Sequence, residues 1–153
     1  MGVSRLQLLA SHPYKERTSK MNDTSTHRGG TKLTLVLLDS ITDAFNQMDI
    51  NAVMAHFAAD ATFDHGAGPE IYGRRFTGSA ELRAIFQKLF DAVDSVHWET
   101  LDARIAGDKA YCEYRRTAKY KNGEVQDFLS LDILTFRDGL IAHKDTFFKN
   151  RLS

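Results

Sequence analysis

The feature that most constrains this fold is a change of hydrophobic period after Asp94. Before it, apolar residues recur every three or four positions, which is typical of amphipathic helices. After it, apolar and polar residues alternate, which indicates strands. We predict strands at 96–105, 109–120, 124–136 and 140–148. The short connections between them each contain glycine and suit tight hairpins, which indicates an antiparallel meander. Helices followed by such a meander predict an α+β domain.

Three helices are predicted before the meander. The first covers about 31–48, the second begins at Asn51 as N-cap and runs to about 58, and the third follows Ser79 as N-cap to about 93. Each carries an apolar stripe at helical spacing. Glu81 falls in the first turn of the third helix, where a carboxylate meets the positive end of the helix dipole.

A short strand, 61–64, is predicted between the second and third helices. It ends in two adjacent titratable residues, Asp64 and His65. Gly66, Gly68 and Pro69 follow, and such a cluster predicts a turn at the mouth of a site. Any chemistry is therefore expected at this junction, although a solvated pair that caps the loop is the alternative.

Composition sets limits on function. Twenty basic and twenty acidic residues balance, so no overall field favours nucleic acid or an anionic membrane, and we predict neither as a partner. The sequence contains no run of eighteen apolar residues, so no membrane-spanning helix is predicted. The single cysteine, Cys112, cannot form an intrachain disulfide, which favours a reducing compartment and predicts a cytoplasmic protein. Residues 1–30 are predicted to be a flexible appendage to one domain at 31–151.

Three segments carry a family resemblance: AFNQMDINAVMAHFAADATFDHG, YGRRFTGSAELRAIFQKLF and LDILTFRDGLIAHKDTFF. Together they resemble the NTF2-like superfamily, which includes ketosteroid isomerase, the SnoaL-like polyketide cyclases, scytalone dehydratase and limonene-epoxide hydrolase. The resemblance implies a cone in which three N-terminal helices pack on a strongly curved, mainly antiparallel sheet and leave a hydrophobic pocket. It also implies a homodimer formed through the outer face of the sheet.

The resemblance to ketosteroid isomerase assigns two catalytic residues. Asp132 aligns with the acid that donates a hydrogen bond to the substrate oxygen, and its apolar neighbours would favour the neutral carboxyl form. His65 aligns with the general base, an aspartate in that enzyme, and a histidine can also exchange a proton near neutral pH. The tyrosine of the oxyanion hole aligns with Ile41, so Tyr114 or Tyr72 would have to replace it.

The last strand has two mixed faces, one with His143 and Asp145 and the other with Lys144 and Thr146. The carboxylate that points into the cavity in limonene-epoxide hydrolase and SnoaL-like proteins favours Asp145 as an inward catalytic residue, with His143 beside it. A pair at the rim of the pocket is the alternative.

Arg116 completes the predicted substrate-binding set of Asp64, Tyr72, Tyr114, Arg116 and His143. The alternative for Arg116 or Arg115 is an ion pair with Asp132. The Arg-x-Asp pair of the epoxide hydrolase aligns with Tyr114 and Arg116, which disfavours that activity.

The leading hypothesis is a cofactor-free acid/base enzyme, an isomerase, cyclase or dehydratase that acts next to a carbonyl of a small lipophilic ligand. The sequence contains no phosphate-binding glycine motif and no metal-binding motif of the HExxH type, so neither a cofactor nor a metal is expected. The alternative is a non-catalytic module of the same fold that binds a ligand or mediates dimerisation.

Overall fold

The structure, a computed structural model, describes residues 32–151. The predicted appendage at 1–30 lies outside the described residues. The helices are α1 (Leu35–Asn46), α2 (Ile50–Met54) and α3 (Gly78–Ala92). The strands are β1 (Phe57–Glu70), β2 (Gly73–Thr77), β3 (Val93–Ala106), β4 (Lys109–Tyr120), β5 (Val125–Arg137) and β6 (Leu140–Phe148).

One curved sheet holds all six strands in the order β2-β1-β6-β5-β4-β3. Neighbouring strands are antiparallel except β1 and β6, which are parallel. Register shifts in β1, β3 and β6 bend the strands, as β-bulges do. The helices pack on the concave face, with α1 against β3 and α3 against β1. The predicted α+β cone is confirmed.

The helix bounds differ from prediction: α1 begins about four residues later than predicted, α2 ends at Met54 rather than at about 58, and the starts of α2 and α3 differ by one residue. Asp49, rather than Asn51, caps α2, and its Oδ1 accepts hydrogen bonds of 3.0 Å from the next two free backbone amides. Thr77 is the N-cap of α3, and its backbone N–H donates to Glu81 over 2.7 Å. Ser79 instead donates to the carbonyl of Ala59.

The predicted strand 61–64 is far longer in the structure, because the glycines after His65 continue the strand instead of turning it. A Cβ on Gly66 would lie 2.6 Å from the Thr146 carbonyl oxygen, and one on Gly68 would lie 2.3 Å from the Gly73 oxygen. Glycine is needed here for close backbone approach. The turn comes later, before Gly73 with φ +80°, and Arg74 and Arg75 follow it on β2.

Aromatic side chains fill the space between the helices and the sheet. The Phe45 and Phe86 rings pack edge to face at 5.2 Å, and Phe63 lies 5.1 Å from Phe86. Asn46 ties the end of α1 to β3 through two hydrogen bonds, of 3.1 and 2.8 Å, with the backbone of Trp98. These contacts hold both helices above the sheet and set the position of the cavity below them.

No helix within residues 32–151 is long and apolar enough to cross a membrane.

Candidate functional site

A cavity of about 810 Å³ lies between the concave face of the sheet and helices α1 and α3. Its walls are mainly apolar and aromatic: Ile41, Phe45, Phe63, Ile85, Phe86, Leu89, Trp98, Leu134 and Ile141. Exposed residues at the ends of β5 and β6 line its mouth, so a ligand can enter from solvent. This volume and lining are typical of small-molecule sites.

Among the polar side chains that line the cavity are five that four strands contribute: His65, Tyr114, Arg116, Asp132 and Lys144. The strand register explains why they share one face. Asp132 is opposite Cys112 on β4 and Thr146 on β6, so these three point to the same side of the sheet. Residues two or four positions away along each strand, including Tyr114, Arg116 and Lys144, follow by the period of two.

Lys144 and Asp132 form a buried ion pair inside the cavity, with only 7% and 8% of their surfaces exposed. Oδ2 of Asp132 accepts from the Lys144 ammonium, and Oδ1 accepts from the Thr146 hydroxyl at 2.6 Å. Lys144 also donates to the Thr146 Oγ1 at 3.1 Å. Both carboxyl oxygens thus accept hydrogen bonds from side chains of β6, and neither is left to donate toward the cavity. The expectation that Asp132 donates to a ligand and the alternative of an Arg116 or Arg115 partner are both wrong.

Tyr114 reaches the cavity from β4, but its hydroxyl is directed at α1. Thr42 donates its only hydroxyl proton to the Leu38 carbonyl over 3.1 Å, so the 3.0 Å contact between Thr42 and Tyr114 has Tyr114 as donor. Burial raises the pKa of Tyr114 well above its usual value. Burial likewise raises the pKa of the neighbouring Cys112 thiol to about 11. Tyr114 therefore lines the site as a neutral phenol, and it donates its hydroxyl proton to Thr42 rather than to the cavity.

Arg116 lies farther along β4, toward the mouth, and is 7% exposed. Its guanidinium stacks between the rings of Trp98 and Phe128, at 5.4 and 5.3 Å from their centres. It donates to the side-chain oxygen of Gln126 at 2.8 Å and to the hydroxyl of Tyr120 at 3.2 Å. Both of these acceptors are neutral groups.

His65 lies at the rim of the cavity, against Phe63 and Phe148. Its Nδ1 contacts the backbone of Ala67, with the nitrogen and the carbonyl oxygen of that residue at 3.2 and 3.0 Å. Its Nε2 has no hydrogen-bond partner within residues 32–151. The ring is thus oriented through one nitrogen and leaves the other for a ligand.

The remaining predicted site residues lie on the outer face of the sheet. Asp64 is 2% exposed and accepts two hydrogen bonds of 2.7 Å from Arg75, which in turn stacks on Tyr72 at 4.6 Å. The Nε2 of His143 lies 3.4 Å from Asp64 Oδ2, and Asp145 is the register partner of Asp64. Burial and the charge of Asp64 raise the pKa of Asp145.

The prediction that Asp145 and His143 point into the cavity is therefore wrong, and the neighbouring residues Lys144 and Thr146 point there instead. The physical reason is the Lys144–Asp132 ion pair, which satisfies an inward lysine. Lys144, Thr146 and Thr42 were not predicted as site residues. Of the eight predicted site residues, four line the cavity: His65, Tyr114, Arg116 and Asp132.

Within residues 32–151, no group of three or more His, Cys, Asp or Glu side chains is arranged to hold a metal ion.

A protein-family model described as the SnoaL-like domain matches residues 38–144, from the first buried turn of α1 to Lys144 of the ion pair. The chain belongs to the SnoaL-like domain family. The matched range contains His65, Tyr114, Arg116, Asp132 and Lys144, and the predicted family resemblance is confirmed. A comparison with curated proteins gave no significant match.

Solved structures show the same fold as this SnoaL-like domain. A hypothetical protein from Catenulispora acidiphila with a ketosteroid isomerase-like fold, in complex with trimethylamine, is 21% identical at a TM-score of 0.65, over 75% of this chain and 86% of that one. A proposed polyketide cyclase from Xanthomonas campestris pv. campestris is 23% identical at a TM-score of 0.62, over 74% of this chain and 88% of that one. TerC, co-crystallised with polyporic acid, is 16% identical at a TM-score of 0.64, over 74% of this chain and 89% of that one. At these identities the likeness establishes the fold alone.

Proposed function

We propose that this SnoaL-like protein binds a small lipophilic carbonyl compound in the cavity and catalyses cofactor-free proton transfer next to the carbonyl group. Isomerisation, cyclisation and dehydration all belong to this reaction class. The observation that carries the proposal is the buried Lys144–Asp132 pair, placed in an otherwise apolar and aromatic cavity of about 810 Å³. Buried ionised groups at the base of such a cavity are characteristic of sites that stabilise developing charge.

Lys144 is the proposed oxyanion donor. Its ammonium has three protons, of which one is donated to Asp132 and one to Thr146. The nitrogen lies 5.6 and 5.8 Å from the ring centres of Phe63 and Phe45, and its third proton has no acceptor among residues 32–151. A substrate oxygen there would receive a charge-assisted hydrogen bond in surroundings of low dielectric, which stabilises an enolate more than a ketone.

His65 is the proposed general base. Asp64 pairs with Asp145 across β1 and β6, so the next residue, His65, lies beside Thr146, which pairs with Asp132. His65 and Asp132 are thus two strand spacings apart, roughly 10 Å between Cα atoms. A ligand can lie between them with its carbonyl oxygen at Lys144 and an adjacent C–H bond facing the free Nε2 of His65. The imidazole takes that proton and returns it to another carbon or to a leaving oxygen.

Relatives of the same fold support a small-molecule ligand, because one was crystallised with trimethylamine and another with polyporic acid. These two compounds differ strongly in size and charge. The cavity of this chain must therefore be interpreted from its own side chains.

We also propose that two copies of the chain pair through the outer face of the sheet. Leu101, Leu129 and Phe147 are 40%, 45% and 51% exposed there, and the last two belong to adjacent strands. Exposed apolar side chains that cluster on a sheet face favour association. Sedimentation should give twice the chain mass of 17.3 kDa, and Leu129→Lys should return the protein to the monomer. A wild-type monomer at micromolar concentration would contradict this pairing.

The catalytic proposal is tested in two steps. A thermal-shift screen against small ketones, lactones, hydroxylated aromatics and epoxides first finds a ligand, which at a hundred times its dissociation constant adds about 2.7 kcal/mol to stability. The ligand is then incubated with protein in D₂O, and deuterium incorporation next to its carbonyl is followed by NMR. His65→Gln and Lys144→Met should each lower the exchange rate about a hundredfold or more.

Asp145→Asn is the matched control, because Asp145 is adjacent to Lys144 in sequence but lies on the opposite face. It should leave the exchange rate within about twofold of wild type. Ligand binding without deuterium exchange would overturn the enzyme proposal in favour of a binding module. An equal loss in Asp145→Asn would show that the Lys144–Asp132 ion pair, here called the cavity pair, is not the chemical centre.

A further inference from the structure

We propose that Arg116 is the binding site for a carboxylate of the ligand, so that the substrate class is an elongated, ring-containing oxo acid rather than a neutral ketone. This inference deepens the proposed function and rests on the cavity being the ligand site. It assigns a second polar end to the cavity, distinct from the Lys144–Asp132 pair.

The first argument is the missing counter-charge of Arg116. Among residues 32–151 no carboxylate oxygen lies within 4.0 Å of its guanidinium, although the side chain is buried. The adjacent residue Arg115, on the outer face and half exposed, has a two-bond ion pair with Asp127 at 2.9 and 2.8 Å. A buried charge normally has an ionic partner, because removal from water is costly. Arg116 is therefore less exposed to water than Arg115, and its hydrogen-bond partners are neutral rather than ionic.

The second argument is the geometry of its donors. A guanidinium has five N–H groups, and two of these are donated to Gln126 and Tyr120. Trp98 on β3 and Phe128 on β5 are the register partners of Arg116 and flank it on either side, and the remaining donors have no acceptor among residues 32–151. Because Arg116 lines the cavity, those donors are accessible to a ligand. A planar fork of N–H donors matches a planar carboxylate.

The third argument is the charge balance of the cavity. Lys144 and Asp132 neutralise one another, which leaves Arg116 as an excess positive charge inside. Lys88, Lys149 and Arg151 line the cavity as well. Among the acids that line it, Asp127 is paired with Arg115, whereas the partner of Glu124 is the neutral amide of Gln126, which offsets no charge. The basic side chains that line the cavity and its mouth still outnumber the acidic ones, by five to three. The cavity and its mouth therefore attract an anion.

The distance between the two polar ends sets the ligand's shape. Arg116 pairs with Phe128, four residues from Asp132 on the same face of β5, so the two ends are roughly 13 Å apart along the strand. A ring system fits between, against Phe45, Phe86 and Leu89, with the carboxylate at Arg116 and the reacting carbonyl at Lys144.

Trp98 makes the proposal directly measurable. It is the only tryptophan of the chain, and its ring contacts the Arg116 guanidinium. Its fluorescence is titrated with phenyl-oxo-alkanoic acids of increasing chain length and with the methyl ester of each. Wild type should bind the best acid at least about tenfold more tightly than its ester, as expected for a charge-assisted, two-bond contact. In Arg116→Gln the acid-to-ester ratio should fall to near one while ester affinity is retained.

Arg115→Gln is the matched control and should keep the wild-type ratio, since Arg115 lies on the outer face. Retained ester binding also shows that Arg116→Gln is folded, and Arg116→Lys should recover part of the preference. The proposal is overturned if wild type has no preference for the acids, if no member of the series binds, or if Arg115→Gln loses the preference equally. Binding of the acid with no deuterium exchange would support the Arg116 site and count against the catalytic proposal alone.

Discussion

The two faces of the sheet each bury a carboxylate beside a basic residue, but they use it differently. On the outer face, both oxygens of Asp64 accept from one guanidinium, that of Arg75, at 2.7 Å each. On the cavity face, Asp132 shares its oxygens between Lys144 and Thr146, and Lys144 keeps a donor for the cavity. The outer pair is closed and joins β1 to β2, whereas the inner pair is open to a ligand.

This difference shows how much one residue position decides in a strand. Asp145 and Lys144 are neighbours in sequence, yet one faces away from the cavity and the other lies in it. A charged residue type therefore does not identify a site by itself. The cavity side is distinguished by a buried charged group that keeps a hydrogen-bond donor for a ligand after its contacts with the protein are made.

The largest expected effect comes from breaking the cavity pair. Asp132→Ala leaves the Lys144 ammonium buried without a counter-ion and should lower the free energy of unfolding by about 3–5 kcal/mol. Equilibrium urea denaturation measures it. Asp127→Ala, which breaks the exposed pair with Arg115, serves as the control and should cost much less, because exposed ion pairs contribute little to stability. Equal losses in the two variants would show that the cavity pair is solvated rather than buried.

A smaller loss is expected on the outer face. Asp64→Asn keeps the shape of the side chain but removes the ionic part of its bonds to Arg75, which is half exposed. The free energy of unfolding should fall by about 1–3 kcal/mol. Affinity for any cavity ligand should stay within about twofold, because Asp64 does not line the cavity. A loss of ligand affinity as large as that of Lys144→Met would remove the distinction between the faces.

The smallest effect should be a gain. Burial and the charge of Asp64 raise the pKa of Asp145 above its ordinary value of 3.8. As pH rises past that value, the unfolded chain therefore releases the proton more readily, and the folded state loses stability. The free energy of unfolding of Asp145→Asn should be slightly higher than that of wild type at pH 7. The gain should be less than about 1 kcal/mol, because the site is partly solvated. The advantage should disappear near pH 3, and a variant less stable at pH 7 would contradict this account.

The fold was largely predictable because its signals are local. Glycine-containing turns and a period of two place β4 and β6 at their observed bounds, and β3 and β5 within three residues. The strand β1 was harder, since glycine is required both for turns and for close backbone approach. Gly66 and Gly68 serve the second purpose, against Thr146 and Gly73, and those contacts cannot be read from neighbouring residues.

The site was only half predictable for a related reason. Both faces of β6 mix apolar with charged residues, so the pattern of β6 alone does not say whether Lys144 or Asp145 is inside. The choice depends on Asp132, on a different strand, which supplies the partner that lets a lysine be buried. Pairing between strands, rather than pattern within one strand, determines the chemistry of this cavity.

The most direct test of the cavity face as the functional site is a crystal structure with the tightest-binding acid or ketone from the titrations. The ligand should lie between the sheet and α3, with its carbonyl oxygen about 3 Å from Lys144 Nζ and no contact with His143 or Asp145. A ligand bound on the outer face beside Asp64, or one inside the cavity with Lys144 still out of reach, would contradict the account.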